Sequence, residues 1–99
     1  INKAIHYYSL AAKQNHLNAL HNLGLIYSEG EYIQRDIDKA IHYYTLAANQ
    51  NDPGAQYYLG FFYSVSKYVE RDINKALYYY SLAVNQNFPE AQFILGYIY

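Results

Sequence analysis

Apolar residues recur along this chain at the spacing of an α-helix. Between residues 37 and 50, apolar positions follow the series i, i+3, i+4, i+7, i+10 and i+11: Ile37, Ala40, Ile41, Tyr44, Ala47 and Ala48. This spacing places them on one face of a helix. From Pro53 the spacing recurs at Ala55, Leu59, Phe62 and Tyr63, which predicts a second, shorter helix. Polar segments at residues 28–36 and 64–72 have no helical spacing and are predicted to be loops.

Capping and turn residues mark where these helices begin and end. Asp36 and Asp72 precede two of the longer helices as expected N-caps. Each longer helix is expected to end at an asparagine, which tolerates the left-handed backbone of that position: Asn15, Asn51 and Asn87. Pro53 and Pro89 follow two residues later, where proline suits the first position of a new helix.

The chain repeats itself with a period of 36 residues. Residues 1–36 and 37–72 agree at 20 of 36 positions, and these two copies agree with residues 73–99 at 13 of 27 shared positions. Each copy is predicted to be two antiparallel helices that cannot bury their apolar stripes alone, so successive hairpins must stack. We therefore expect an all-α fold, a right-handed superhelical α-solenoid of about six helices, with residues 1–99 forming one array.

The recurring residues resemble the Sel-1-like repeat, a relative of the tetratricopeptide repeat. The pattern A-x-x-x-L-G-x-x-Y, a loop ending in D-x-x-K-A, and x-x-Y-Y-x-x-A-A stands here as Ala19, Leu23, Gly24, Tyr27, Asp36, Lys39, Ala40, Tyr43, Tyr44, Ala47 and Ala48. The resemblance covers the whole chain, although Tyr32 and Tyr68 stand where the family usually has a second loop glycine. It implies a protein–protein interaction scaffold or adaptor that binds a polypeptide on its concave face. Similar repeats also occur fused to kinase domains, so the alternative is a regulatory or dimerising segment of a larger signalling enzyme, which the full-length sequence would distinguish.

Three glycines are predicted to lie in the middle of helices: Gly24, Gly60 and Gly96. A mid-helix glycine costs about 1 kcal/mol relative to alanine, so another interaction must offset this cost. We expect close approach of the partner helix, with the ring of Tyr44 or Tyr80 lying across the missing side chain.

Composition excludes several classes of function. Seven Lys and Arg against eight Asp and Glu leave a net charge of −1, so there is no basic field for nucleic acid or an anionic membrane. A mean hydropathy of −0.29 argues against a bilayer span. Without cysteine there is no disulfide scaffold and no thiolate chemistry. The chain begins at Ile1, contains no Met and lacks a signal-peptide pattern, so we expect an excerpt of a longer protein.

The histidines and paired carboxylates do not predict a catalytic, cofactor or metal site. His6 and His42 are one repeat apart, on a stripe with Ser9 and Lys13 that we interpret as a solvated outer face. Equivalent residues on stacked helices lie about 10 Å apart, too far to share one zinc ion. Carboxylate pairs such as Asp36 with Asp38 are explained by capping and solvation. We expect no enzymatic activity and no cofactor.

The residues that vary between copies are the candidates for binding a partner. Two rows on the second helices differ from copy to copy: His21, Tyr57 and Phe93, and Leu25, Phe61 and Tyr97. By analogy with related two-helix repeats, these six residues would line a concave groove for a protein or peptide. The alternative is that Tyr57 and Phe61 pack between repeats as core. The uncapped array ends, where Ala91 and Leu95 lie, predict self-association.

Overall fold

The computed structural model describes residues 2–30, 33–65, 69–90 and 92, and every regular element within those ranges is an α-helix. The five complete helices are α1 Asn2–Ala12, α2 Leu17–Glu29, α3 Ile37–Ala48, α4 Pro53–Ser64 and α5 Ile73–Asn85. The predicted sixth helix falls on a segment in which Pro89, Glu90 and Gln92 are helical, and its remaining residues lie outside those ranges.

The second helix of each pair is not the shorter one, so that expectation was wrong. In the first copy α2 has 13 residues and α1 has 11, and in the second copy α4 and α3 both have 12. α2 continues through Ser28 and Glu29, which we expected to be loop. The Ser28 hydroxyl donates to the Leu25 carbonyl oxygen at 3.0 Å. The helix ends at Gly30, whose φ of 68° is left-handed and whose N–H donates to the Ile26 carbonyl oxygen.

The described chain divides into two compact units. The first, Ile1–Gln50, contains α1, α2 and α3, and there α2 packs against both α1 and α3. The second, Asn51–Tyr99, contains α4 packed against α5. α3 and α5 share a sequence pattern, as do α2 and α4. Both units therefore repeat the pairing of a glycine-containing helix, α2 or α4, with a helix that carries a buried tyrosine, α3 or α5.

The predicted N-caps and asparagine turns are confirmed, although α1, α3 and α5 end two or three residues before those asparagines. The carboxylate of Asp36 accepts a hydrogen bond from the Lys39 N–H at 3.1 Å, and Asp72 accepts from Lys75 at 3.0 Å. All three predicted asparagine turns adopt a positive φ: 58° at Asn15, 65° at Asn51 and 59° at Asn87. α4 begins at Pro53, as expected, with Asp52 as an additional N-cap that accepts from the Gly54 N–H.

The mid-helix glycines allow the close helix approach that their cost predicted. A Cβ added at Gly24 would lie 2.8 Å from the Cδ1 of Tyr44, and one at Gly60 would lie 2.6 Å from the Cδ1 of Tyr80. Tyr44 has no exposed surface and Tyr80 retains 2%. Each ring therefore occupies the space of the absent side chain and forms the centre of its unit's core. Gly96 lies outside the described residues.

A second contact joins the same helices at the edge of each core. The rings of Tyr27 and Tyr43 stack with centroids 6.0 Å apart, and the Nζ of Lys39 lies 5.1 Å from the Tyr27 centroid. In the second unit, Tyr63 and Tyr79 stack at 6.2 Å, with Lys75 Nζ 5.0 Å from Tyr63. These contacts close each helix pair around its buried tyrosine.

Candidate partner-binding site

The first row of candidate residues lies over the buried tyrosines. His21 makes an edge-to-face contact with Tyr44, with centroids 5.7 Å apart and an interplanar angle of 81°. At the aligned position in the second unit, the Tyr57 ring lies 5.8 Å from Tyr80 and 5.6 Å from Phe88. Both side chains are partly buried. The described residues of this row therefore pack on the buried tyrosines and remain partly exposed to solvent.

The described part of the second row of candidate residues contains one exposed aromatic side chain, Phe61. Phe61 exposes 39% of its surface while contacting Phe62 edge to face, and Leu25 on α2 is partly buried. Of the remaining candidates, Phe93 and Tyr97 lie outside the described residues. Phe61 is thus the most exposed apolar side chain of the described candidate set.

The faces that carry these rows are nearly uncharged. α4 contains no Asp, Glu, Lys or Arg, and in α2 the sole such residue is Glu29, at the last position. An exposed apolar ring on an uncharged helix loses little polar hydration when a partner covers it, so this surface suits apolar side chains.

Two tyrosines of α5, Tyr79 and Tyr80, have raised pKa values. Burial raises the pKa of Tyr79 above the usual 10.0, and the neighbouring phenols Tyr63 and Tyr78 raise it further. Burial also raises the pKa of Tyr80, although a hydrogen bond with Ser64 acts in the opposite direction. Both phenols are neutral at physiological pH, where they pack as apolar rings with one polar atom.

A separate concavity occupies the outer side of the first unit. It has a volume of about 320 Å³ and is lined by residues of α1, its following turn and α3: Ser9, Ala12, Lys13, Asn15, His42, Tyr43 and Leu46. His42 is exposed, as expected for a solvated outer face. Sequence reasoning identified the face but not its hollow shape, which depends on how α1 and α3 are spaced.

A buried amide pair in the second unit was also missed from the sequence. Gln56 on α4 is 1% exposed, and its Oε1 accepts a hydrogen bond from Gln86 Nε2 at 3.0 Å. The aligned residue in the first unit is Leu20, so the sequence signal was a single polar residue at an otherwise apolar position. The pair satisfies buried polar atoms and fixes the end of α5 against α4.

Within the described ranges, no group of three His, Cys, Asp or Glu side chains is arranged to hold a metal ion. None of the described helices combines the length and the apolar character needed to cross a membrane.

Comparisons with known proteins agree with this architecture. A crystal structure of a Sel1 repeat protein from Oxalobacter formigenes superposes with a TM-score of 0.87 at 34% identity, covering 99% of this chain and 40% of that one. The protective antigen c5321 of uropathogenic Escherichia coli, which displays an SLR fold, gives a TM-score of 0.85 at 30% identity, covering 93% of this chain and 20% of that one. Helicobacter pylori cysteine rich protein B gives 0.84 at 29% identity, covering 94% and 70%. No curated protein matches the chain.

The chain spans less than half the length of the first two of these proteins. The expected fold class, an all-helical solenoid of stacked hairpins, is confirmed by these likenesses and by the helices described above. The assignment of residues 1–99 to one array, with units 1–36, 37–72 and 73–99, stays a prediction.

The Sel1 repeat profile matches consecutive segments that together cover the chain: residues 1–16, 17–52, 53–88 and 89–99. Its full-length segments have the 36-residue period read from the sequence and begin at α2 and α4. Because the Sel1 repeat profile matches the chain along its whole length, the chain belongs to the Sel1 repeat family.

Proposed function

We propose that this chain is a protein-interaction module that binds a polypeptide through exposed residues of its glycine-containing helices. Sel1 repeats generally serve as protein–protein interaction modules, and Sel1 repeat proteins are typically non-enzymatic scaffolds. The proposed contact residues are the two varying rows on the face expected to be concave: His21, Leu25, Tyr57, Phe61, Phe93 and Tyr97.

The observation that carries the proposal is the exposed Phe61 ring on the uncharged α4. Desolvated aromatic side chains dominate the energy of protein interfaces, and an isolated apolar helix face offers them without competing charges. The partner segment is accordingly apolar or aromatic at its contact positions, and its affinity depends little on ionic strength. Tyr57 contributes less than Phe61, because most of its ring already packs on Tyr80 and Phe88.

Selection from a random peptide library against the purified chain tests this function. We expect selected peptides to be rich in apolar residues and to lose about tenfold in affinity with Phe61→Ala. Tyr78→Ala is the matched control, because Tyr78 is a more exposed ring (60%) on α5. Equal binding to the Phe61→Ala variant, or an equal loss with Tyr78→Ala, contradicts the proposed surface.

Self-association is part of the same proposal. Tyr43 and Tyr79 stack on neighbouring tyrosines, whereas Tyr7 at the aligned position is 66% exposed, and Leu10 beside it is 45% exposed. Sedimentation velocity over a concentration series should show oligomers that Tyr7→Ser with Leu10→Ser reduces. A wild-type chain that stays monomeric at high concentration overturns this.

A further inference from the structure

The outer concavity of the first unit has the chemistry of an anion site. Its lining is given above: Ser9, Ala12, Lys13, Asn15, His42, Tyr43 and Leu46. We propose that this concavity binds the carboxylate of a glutamate side chain in an acidic segment of a polypeptide partner. The inference rests on the proposed function only in that the ligand is a polypeptide, and it uses a different face of the molecule.

The polar groups of the lining are mainly donors. Lys13 and His42 supply an ammonium group and an imidazole, Ser9 supplies a hydroxyl, and no Asp or Glu takes part in the lining. Within the described part of the chain, the Lys13 ammonium has no ion pair. Its charge is therefore available to a carboxylate from outside, which can accept hydrogen bonds from several donors at once.

Three backbone acceptors near the concavity are already engaged. α1 ends beside it, and the carbonyl oxygens of a helix C-terminus would otherwise repel an anion. The Ser9 carbonyl oxygen accepts from the Lys13 N–H at 3.1 Å, and that of Ala12 accepts from the Asn15 N–H at 2.9 Å. The Asn15 carbonyl oxygen accepts from Gln50 Nε2 at 2.7 Å. These bonds also hold the turn rigidly against the end of α3.

One wall of the concavity is apolar and well positioned. Tyr43 is stacked on Tyr27 and meets His42 edge to face, with centroids 5.2 Å apart, so its orientation is fixed from both sides. Leu46 lies one helical turn further along α3. The methylenes of a glutamate can pack on this wall while its carboxylate faces Lys13 and His42.

The internal repeat shows that the lysine and the histidine of this lining are particular to the first unit. One period later the aligned residues keep the type of the other lining positions: Thr45, Ala48, Asn51, Tyr79 and Leu82. Asn49 stands for Lys13 and Tyr78 for His42. The fold thus accepts neutral residues at both positions, so packing does not require the lysine and the histidine.

The test uses the whole chain and two blocked peptides, tetraglutamate and tetraglutamine, followed by amide chemical shifts. We expect tetraglutamate alone to perturb the amides of the lining, with an affinity that falls as salt is added. Lys13→Asn and His42→Tyr, each taken from the aligned position, should weaken binding about fivefold. Lys3→Asn, an exposed lysine on α1 outside the lining, should have no effect.

Three results would overturn the proposal: equal binding of tetraglutamine, an equal loss with Lys3→Asn, or perturbations that miss the lining. The Phe61→Ala variant separates this proposal from the proposed function, because it should bind tetraglutamate normally while losing the apolar peptides. Perturbations centred on α4 would mean that the peptide uses that face and that the carboxylate site is wrong.

Discussion

Single glycines decide how closely the helices of this protein approach. At Gly24 the absent Cβ leaves space that three atoms of the Tyr44 ring fill, at 2.8, 2.8 and 2.9 Å from its ideal position. Tyr44 is completely buried, so its ring cannot move aside without disturbing the core around it. Gly24 thus lowers the stability of its own helix but permits the close contact with Tyr44 that stabilises the pair of helices.

Gly24→Ala should destabilise the protein by about 1–2 kcal/mol. Alanine gains about 1 kcal/mol of helix propensity, but overpacking against a fixed ring costs about 1–3 kcal/mol, and contacts below 3.0 Å make the clash dominant. Urea unfolding measures the difference. In a double-mutant cycle with Tyr44→Leu, the two losses should be less than additive; full additivity would show that the ring is not what the new methyl group meets.

Alkaline pH should unfold the protein by ionising its packed tyrosines. The folded pKa of Tyr80 is raised above 10.0, chiefly by burial, and that of Tyr79 is raised in the same direction. A raised folded pKa gives stability that is complete below about pH 10 and is lost as the pH rises through the folded value. Urea melts between about pH 8 and pH 11 should show falling stability.

The variant Tyr80→Phe tests the assignment of that pH effect. It removes the ionisation and the hydrogen bond with Ser64, so stability falls by about 1 kcal/mol at neutral pH while the alkaline slope becomes shallower. Tyr7→Phe, on an exposed ring of the first unit, serves as the control and should leave the slope nearly unchanged. An unaltered slope in Tyr80→Phe would mean that other groups drive the alkaline loss.

At the scale of elements, α3 and α5, the two helices that carry a buried tyrosine, are each positioned by the aspartate that precedes them. Asp36 and Asp72 cap α3 and α5 with their carboxylates. Their backbone N–H groups donate to the carbonyl oxygens of Tyr27 at 3.0 Å and Tyr63 at 2.9 Å. One aspartate thereby begins a helix and ties it to the end of the preceding helix.

Asp36→Ala should cost about 1 kcal/mol, because the Lys39 N–H loses its acceptor at the helix start. The backbone bond to Tyr27 survives the change, so the helix pair stays assembled. Thermal unfolding provides the measurement, and Asp38→Ala is the control, since Asp38 is an exposed residue of the same first turn whose removal should cost a few tenths of a kcal/mol. Equal effects of the two changes would contradict the capping role.

At the scale of the whole molecule, two units each contain their own buried tyrosine. In the second unit Tyr80 forms a buried cluster with Ala76 and Ala83, and Tyr57 and Phe88 pack against this cluster. Because repeat proteins are stabilised by local contacts, damage to one such core should be felt most by the helices that build it.

Tyr80→Ala should therefore cost about 3–5 kcal/mol, as for other large buried aromatic side chains, with a local distribution. Hydrogen exchange of the folded chain should show a greater loss of protection in α4 and α5 than in α2 and α3. Tyr44→Ala should give the reverse distribution. A uniform loss along the chain in both variants would indicate that the two units open together.

Local rules sufficed for the helices, their caps, their asparagine turns and their period, because each depends on residues within about four positions of one another. The Gly24–Tyr44 contact was also accessible, since an unfavourable glycine at a repeated position requires a compensating neighbour. Only the tertiary structure decided which of the candidate residues that differ between repeat copies are covered by neighbouring side chains. Tyr57 packs on Tyr80 and Phe88 while Phe61 remains exposed, although both follow the same sequence pattern. It also decided the concavity beside Lys13, because burial and shape depend on neighbours far away in sequence, whose spacing no local pattern contains.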